Sequence, residues 1–330
     1  MVSVNTVTGK VDSTQLGCTL VHEHLLLRSD SVAVQFPHLY DDESNFLKAV
    51  EQVKAVKNQG VHTICDPTVM GIGRDIRFME RVAYETEMKI IAATGIYSYN
   101  DIPPIFQNRD INYLADVFIR DIEVGIQNTS IKAGFLKCTA DAAGITEDLD
   151  KVFRAIARAQ KVTGVPIMTH SHPESGNGLK QMDIFEDEGV DPKFIMIGHC
   201  GDTDNIDYIT QILKRGAFIG MDRYGQAPLP YEKRNTTLIE LIKKGFANRM
   251  FLSQDYCCSF DWFPPEHEFF KTYPKWSMTF LLDEVVPQLL NTGVTEEQVR
   301  TMMYDNVRCW FEGTYELPTI NRVIKEPNSI

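Results

Sequence analysis

Thr19-Leu20-Val21-His22-Glu23-His24 is an apolar run that stops at a His-x-His pair. Side chains of an extended chain alternate between two faces, so His22 and His24 project to the same side. Two imidazoles placed that way can share one cation. Buried histidines satisfied by hydrogen bonds are the plainer reading of such a pair, and the rest of the chain decides between the two.

The same unit recurs. A helical stretch through Phe46, Leu47, Val50, Val53 and Val56 closes at Gly60, and Val61–Cys65 follows, ending at Asp66. A stretch from about Asp75 to Glu87 leads into Ile90–Thr94, with Gly95 and Tyr97 just beyond. Ile111–Ile126 leads into Ala133–Leu136, which ends at Lys137, and Leu149–Val162 into Val165–Thr169, which ends at His170. Met182–Glu188 precedes Phe194–Gly198, ending at His199, and Ile206–Lys214 precedes Ala217–Met221, ending at Asp222-Arg223. Leu238–Lys244 precedes Met250–Gln254, ending at Asp255, and Trp276–Leu290 and Glu297–Phe311 read as closing helices.

Eight such runs, apolar throughout rather than alternating, fit a parallel sheet buried on both faces. Eight βα units in about 250 residues is the arithmetic of an α/β (β/α)8 TIM barrel. The rival, an open doubly wound sheet, usually carries a glycine-rich phosphate loop after its first strand. Here His-Glu-His stands in that place, and Gly71-Ile72-Gly73 is only a bare G-x-G. One domain over residues 1–330 is expected, with 312–330 a loosely packed tail.

Composition narrows the function. With 43% hydrophobic and 24% charged residues the chain is an ordinary globular protein, and its net charge of −12 disfavours nucleic acid and anionic membranes. No apolar stretch approaches a membrane span. Met1-Val2-Ser3-Val4-Asn5 lacks the basic start and apolar core of a signal peptide. Seven scattered cysteines without a C-x-x-C point to reduced thiols and a cytoplasmic protein.

In a barrel the run ends converge on one rim, where such enzymes place their chemistry. There stand His22, His24, Asp66, Tyr97, Lys137, His170, His199, Arg223 and Asp255, including four of the eight histidines. His38, His62, His172 and His267 fall outside the pattern, although His172 is close enough in sequence to reach the rim. Four imidazoles and one carboxylate exceed the three protein ligands of a typical catalytic zinc, and two metals would share them if one more anion bridged the pair. Lys137 has two readings. It is a surface or ion-paired lysine, as most are, or an amine deprotonated by the dications and carboxylated by carbon dioxide to an N6-carboxylysine that bridges them.

Six stretches together resemble the phosphotriesterase family of the amidohydrolase superfamily, and within it the phosphotriesterase-like lactonases. They are Leu20–His24, Asp66-Pro67-Thr68, Ala133–Lys137, Thr169-His170, Gly198-His199 with Asp202-Thr203-Asp204, and Ser253-Gln254-Asp255. The resemblance implies one metal held by His22, His24 and Asp255, another by His170 and His199, and carboxylated Lys137 with a hydroxide between them. Metals so paired lie roughly 3.5–4 Å apart. It implies that Asp255 moves the proton to the leaving oxygen, and that the protein is a homodimer. Zinc is the first expectation for both metals, but the ligand types suit cobalt, iron and manganese as well.

In the lactonase branch a tyrosine and an arginine stand where Tyr97 and Arg223 do. The phosphotriesterases proper carry a histidine at the Arg223 position, relayed to the aspartate that Asp202 matches. Here Asp202 is expected to hold Arg223 by an ion pair instead. Tyr97 is expected to donate to substrate, a packed aromatic being its plain alternative. The loop from Tyr256 to Lys275 carries Trp262, Phe263, Phe269, Phe270 and Tyr273. It is read as a substrate-binding channel with Trp262 foremost, against a core cap or a dimer contact. The expected activity is hydrolysis of lactones such as N-acyl-homoserine lactones, with promiscuous organophosphate triester hydrolysis. The rivals are a dedicated phosphotriesterase, another ester hydrolase of the superfamily, and a lactone-binding sensor.

Overall fold

Strands apolar on both faces need cover on both, and the eight runs find it by pairing in order as one parallel sheet wrapped by helices. The computed structural model describes residues 2–264 and 266–316. Its barrel strands are β1 (Thr19–Leu20), β2 (Thr63–Asp66), β3 (Lys89–Gly95), β4 (Phe135–Thr139), β5 (Ile167–His170), β6 (Ile195–Ile197), β7 (Phe218–Met221) and β8 (Met250–Leu252). Each pairs with its successor in the chain, as a TIM barrel requires. An antiparallel hairpin, Ser3–Thr6 with Gly9–Asp12, precedes them. Between strands the helices begin where the sequence offers caps. Asp75, Asp110, Thr146 and Asn205 each accept a first-turn N–H.

The interior follows the two-residue period. Phe135, Met168, Met196, Phe218 and Phe251 fill the lower barrel, closed from below by Trp310, whose indole N–H donates to the Phe194 carbonyl at 3.0 Å. Two residues beyond Phe135 and Met168 on the same faces come Lys137 and His170. The functional layer is thus the next storey of a packed column.

Two expectations about extent are corrected. Thr19–His24 is not one strand: pairing with β2 ends at Leu20, and Glu23–His24 pairs instead with Tyr256–Cys257. β1 and β8 share no ladder of their own, so this upper seam closes the barrel. The helix expected from Trp276 starts only at Leu281, whose N–H donates to Gln254 Oε1 at 2.8 Å, while the Trp276 indole donates to the Gln254 carbonyl at 3.0 Å. Of the segment from 312, Tyr315 packs under the barrel, donating to Gly216 at 2.9 Å beneath the Arg249 guanidinium. Residues 317–330 lie outside the described residues.

Glu23 holds the seam. Fully buried, its carboxylate accepts from Ser253 Oγ (2.7 Å), Gln254 N (3.1 Å) and Tyr256 N (2.8 Å). Each buried donor left unpaired costs about 1–3 kcal/mol. Glu23→Ala is therefore expected to lose at least about 3 kcal/mol of stability, read as a lowered urea midpoint, with Glu23→Gln losing less.

Candidate metal centre

The seam brings the rim residues together. His22 Nε2 and His24 Nε2 lie 3.3 and 3.2 Å from Asp255 Oδ1. Their other nitrogens are spoken for, His22 Nδ1 by Asp222 Oδ2 at 2.8 Å and His24 Nδ1 by Thr68 Oγ1 at 2.7 Å. Across the barrel, His170 Nδ1 faces His199 Nε2 at 3.0 Å, with His170 Nε2 on Asp141 Oδ2 at 2.7 Å. Lys137 Nζ is buried beneath with no hydrogen-bond partner. Two of the five described non-glycine residues with positive φ are His199 (59°) and Asp255 (51°). Backbone strain of about 1–3 kcal/mol at each is typical of sites whose surroundings enforce it.

These donors suit cations. Burial holds His22 and His170 down to about 4, so both rings are neutral at pH 7. With the His170 proton on Nε2 toward Asp141, Nδ1 turns a lone pair on His199. With the His22 proton toward Asp222, Nε2 turns a lone pair on the Asp255 carboxylate. Burial also pushes the Asp255 carboxyl up, but His22, a hydrogen bond from His24 and Arg223 outweigh it and hold it well below the usual range. That lone pair and the carboxylate repel each other until something positive sits between them. Among the described residues, two groups could hold an ion: His22, His24 and Asp255, and His22, His199 and Asp222.

Around this centre, Arg223 Nε donates to Asp255 Oδ2 at 3.1 Å and its Nη1 to Asp202 Oδ2 at 2.7 Å, so the ion pair read from sequence is present. Tyr97 Oη lies 3.4 Å from His170 Nδ1 and 3.2 Å from Tyr99 Oη. Burial raises the Tyr97 phenol well above its ordinary range, so it remains an O–H donor. Trp262 stands against Tyr97, ring centroids 6.2 Å apart, and both line a cavity of about 180 Å³ together with His22, His24, His170, His199 and Asp255. A second cavity of about 670 Å³ adjoins it across Cys257, Phe260 and Phe263.

Several supports escaped the sequence reading. Asp222 shares its strand end with Arg223, and the arginine carries the more conspicuous charge there. Asp141 lies past the end of its strand, and Thr68 sits under His24 beside Asp66, itself one of the rim residues expected from sequence. Arg234 is fully buried and donates to Asp202 Oδ1 at 2.6 Å and to the carbonyls of Gln226, Ala227 and Leu229. The Asp222 position, at the end of a predicted strand, was the one detectable signal. His172 stays off the rim, accepting Ser175 N at 3.3 Å. All seven cysteines are free.

A TIM barrel with clustered imidazoles and carboxylates at the C-terminal ends of its strands defines a metal-dependent hydrolase. The chain matches the Phosphotriesterase family over residues 2–311 and belongs to it. It is 50% identical over 303 residues to an aryldialkylphosphatase of Saccharolobus solfataricus, covering 91% of this chain and 96% of that one. It is 40% identical to a phosphotriesterase homology protein of Mycobacterium tuberculosis, covering 94% and 98%. A solved phosphotriesterase from Mycobacterium tuberculosis superposes with a TM-score of 0.91 at 40% identity, covering 94% of this chain and 98% of that one. This chain is a hydrolase acting on esters, in a family that depends on two metal ions.

Burial lowers the Lys137 ammonium to about 8. The neutral amine, the form that reacts with carbon dioxide, therefore grows from a minor fraction at pH 7 to a majority above pH 8. With dissolved carbon dioxide held at one concentration across the series, reactivation of metal-stripped protein by metal is expected to speed up as pH rises through this window. A rate flat between pH 6.5 and 9 counts against a neutral-amine step at Lys137.

Proposed function

We propose that the protein is a lactonase that opens N-acyl-homoserine and related lactones and hydrolyses organophosphate triesters as a slower side activity. The single observation that supports it most directly is Arg223, paired to Asp202 and Asp255 where a relay histidine would serve a dedicated phosphotriesterase.

In this reading His22, His24 and Asp255 would hold one divalent ion and His170 and His199 the other, and Lys137, as N6-carboxylysine, would contribute to holding the pair. When bound, the pair supplies Lewis acidity and hydroxide at neutral pH. The chain does the rest. The carbamate forms when neutral Lys137 Nζ attacks carbon dioxide and sheds one proton, turning an unpartnered amine into an anion with two oxygens. Asp255 takes the proton of the attacking hydroxide and passes it to the departing ring oxygen. Tyr97 donates its O–H to the substrate oxygen, and the anchored Arg223 adds positive charge on the same side. Phe260, Phe263 and Trp262 wall the cavities, and the larger one offers an acyl chain room along Leu26, Phe260 and Phe270, beside charged groups such as Arg28 and Lys48.

A dedicated aryldialkylphosphatase is the second reading, favoured by the name of the Saccharolobus relative. A panel of lactones and triesters on metal-replete enzyme separates the two. Lactones are expected to show the higher kcat/KM, and a triester turned over far faster than every lactone overturns the preference. Asp255→Asn should lower kcat by about 10²–10⁴-fold on both classes. Trp262→Ala should raise KM for long-chain lactones more than for short ones. Val34, Phe36 and Leu39, all more than half exposed after β1, support the expected homodimer, which sedimentation would test.

A further inference from the structure

Four imidazoles are the candidates to hold two ions, and the fold does not support them alike. His24 leans on the Thr68 hydroxyl and His170 on the Asp141 carboxylate, and each of these supports serves one ring. His22 and His199 share Asp222. Its Oδ2 lies 2.8 Å from His22 Nδ1. Its Oδ1 accepts the main-chain N–H of His199 at 2.7 Å and lies 3.3 Å from that ring's Nδ1, off the line of a good hydrogen bond. His22 belongs with His24 and Asp255, whereas His199 faces His170. One carboxylate therefore stands behind one ligand of each metal position.

The room for that carboxylate is built into the strands. Asp222 is fully buried. A Cβ on Gly220 would lie 2.4 Å from its Cγ, and one on Gly198 would lie 3.3 Å from its Oδ2 and 2.2 Å from the Thr169 carbonyl. Neither glycine has a positive φ, so space rather than backbone conformation demands the missing side chain. The adjacent Arg223 is committed to Asp202 and Asp255, which leaves Asp222 to its histidines.

We propose that Asp222 is a positioning residue common to both metal positions, and that through it the two ions are taken up as a linked pair. The inference rests on the two-metal reading of the site. An ion on His22 Nε2 draws density from the ring and strengthens the Nδ1–H bond to Asp222. The carboxylate is then fixed, and its other oxygen holds the left-handed backbone that aims His199 at His170. The link runs through one rigid group with two contacts, and it works equally in reverse.

The test titrates chelator-stripped, full-length protein with Co²⁺ in bicarbonate buffer. Bound metal is counted by elemental analysis after gel filtration and followed by the visible spectrum, independently of turnover. The wild type is expected to pass from empty to two ions without accumulating a one-ion species. Asp222→Asn should weaken both positions by about 10–100-fold and fill them stepwise. Gly220→Ala, which crowds the carboxylate without removing it, should do the same, with circular dichroism confirming the fold. Asp141→Asn, which among the four imidazoles touches His170 alone, should leave a one-ion species. A one-ion species accumulating in the wild type overturns the linkage. So does an Asp222→Asn protein that loses one ion and keeps the other at wild-type affinity, which would make Asp222 a ligand or prop of a single position. Wild-type protein that holds no stoichiometric metal removes the two-metal reading itself and the proposal with it.

Discussion

Glu23 lies between His22 and His24 and turns its carboxylate away from them, into the gap between the first and last strands, where Ser253, Gln254 and Tyr256 donate to it. The same alternation that sends Glu23 into the seam sends its neighbours toward the cavity. Main-chain bonds from Asp255 N to His22 O and from Cys258 N to His24 O, at 3.0 and 2.9 Å, lock the two segments in register. A slip of one residue would exchange the histidines for the glutamate. Barrel closure and ligand aim are thus one constraint, and Asp255 reaches both His22 and His24 only because the seam bends it into a left-handed conformation.

Charge above the seam is arranged in alternation. Arg234 and Arg223 flank Asp202, and Arg223 reaches on to Asp255. Buried carboxylates survive only when paired, and each here has a partner. Arg223 faces competing pulls: Asp202 on one side and Asp255 on the other keep its guanidinium spread between them. Because Arg234 occupies the second oxygen of Asp202, that aspartate does not draw Arg223 away from the rim. The Gln226–Leu229 loop, whose carbonyls the same Arg234 caps, is held in place by this one buried cation.

The barrel was legible because its signal is repetitive. Eight apolar runs, all but the first opening after a helix and almost all ending at a reactive residue, leave few topologies, and all eight appear as strands. The ends of elements were less legible. Nothing local in Thr19–His24 says that the ladder to β2 stops at Leu20, since the break is imposed by pairing with Tyr256–Cys257, more than 200 residues away. The late start of the helix after Trp276 likewise depends on Gln254 taking up its first N–H. At the site, residues at strand ends announced themselves, and the Asp202–Arg223 pair followed from their charges. Thr68, Asp141 and Arg234 did not, because a side chain that acts by holding another is defined by a distant partner rather than by its own position in the pattern.

Substrate choice resides in a different layer from bond cleavage. The donors at the bottom are fixed by strands and by buried partners, whereas Tyr97, Trp262 and the aromatic loop sit on connections that a barrel tolerates in many lengths. A tetrahedral lactone adduct and a phosphotriester transition state both place charge on an oxygen beside the same donors, so the lower layer favours neither strongly. Discrimination must come from shape above it. The space of about 180 Å³ over the candidate metal ligands has room for a small ring or a compact phosphoryl group, and a cavity of about 670 Å³, lined by apolar and charged side chains alike, adjoins it at Phe260 and Phe263. In the lactonase reading proposed above, a lactone bearing an acyl chain would engage both spaces at once, and a triester with short alkoxy groups the first alone. Binding energy from the distant arm then orients the ring at the reacting atoms, which is the physical reason to expect the lactone to be the better substrate.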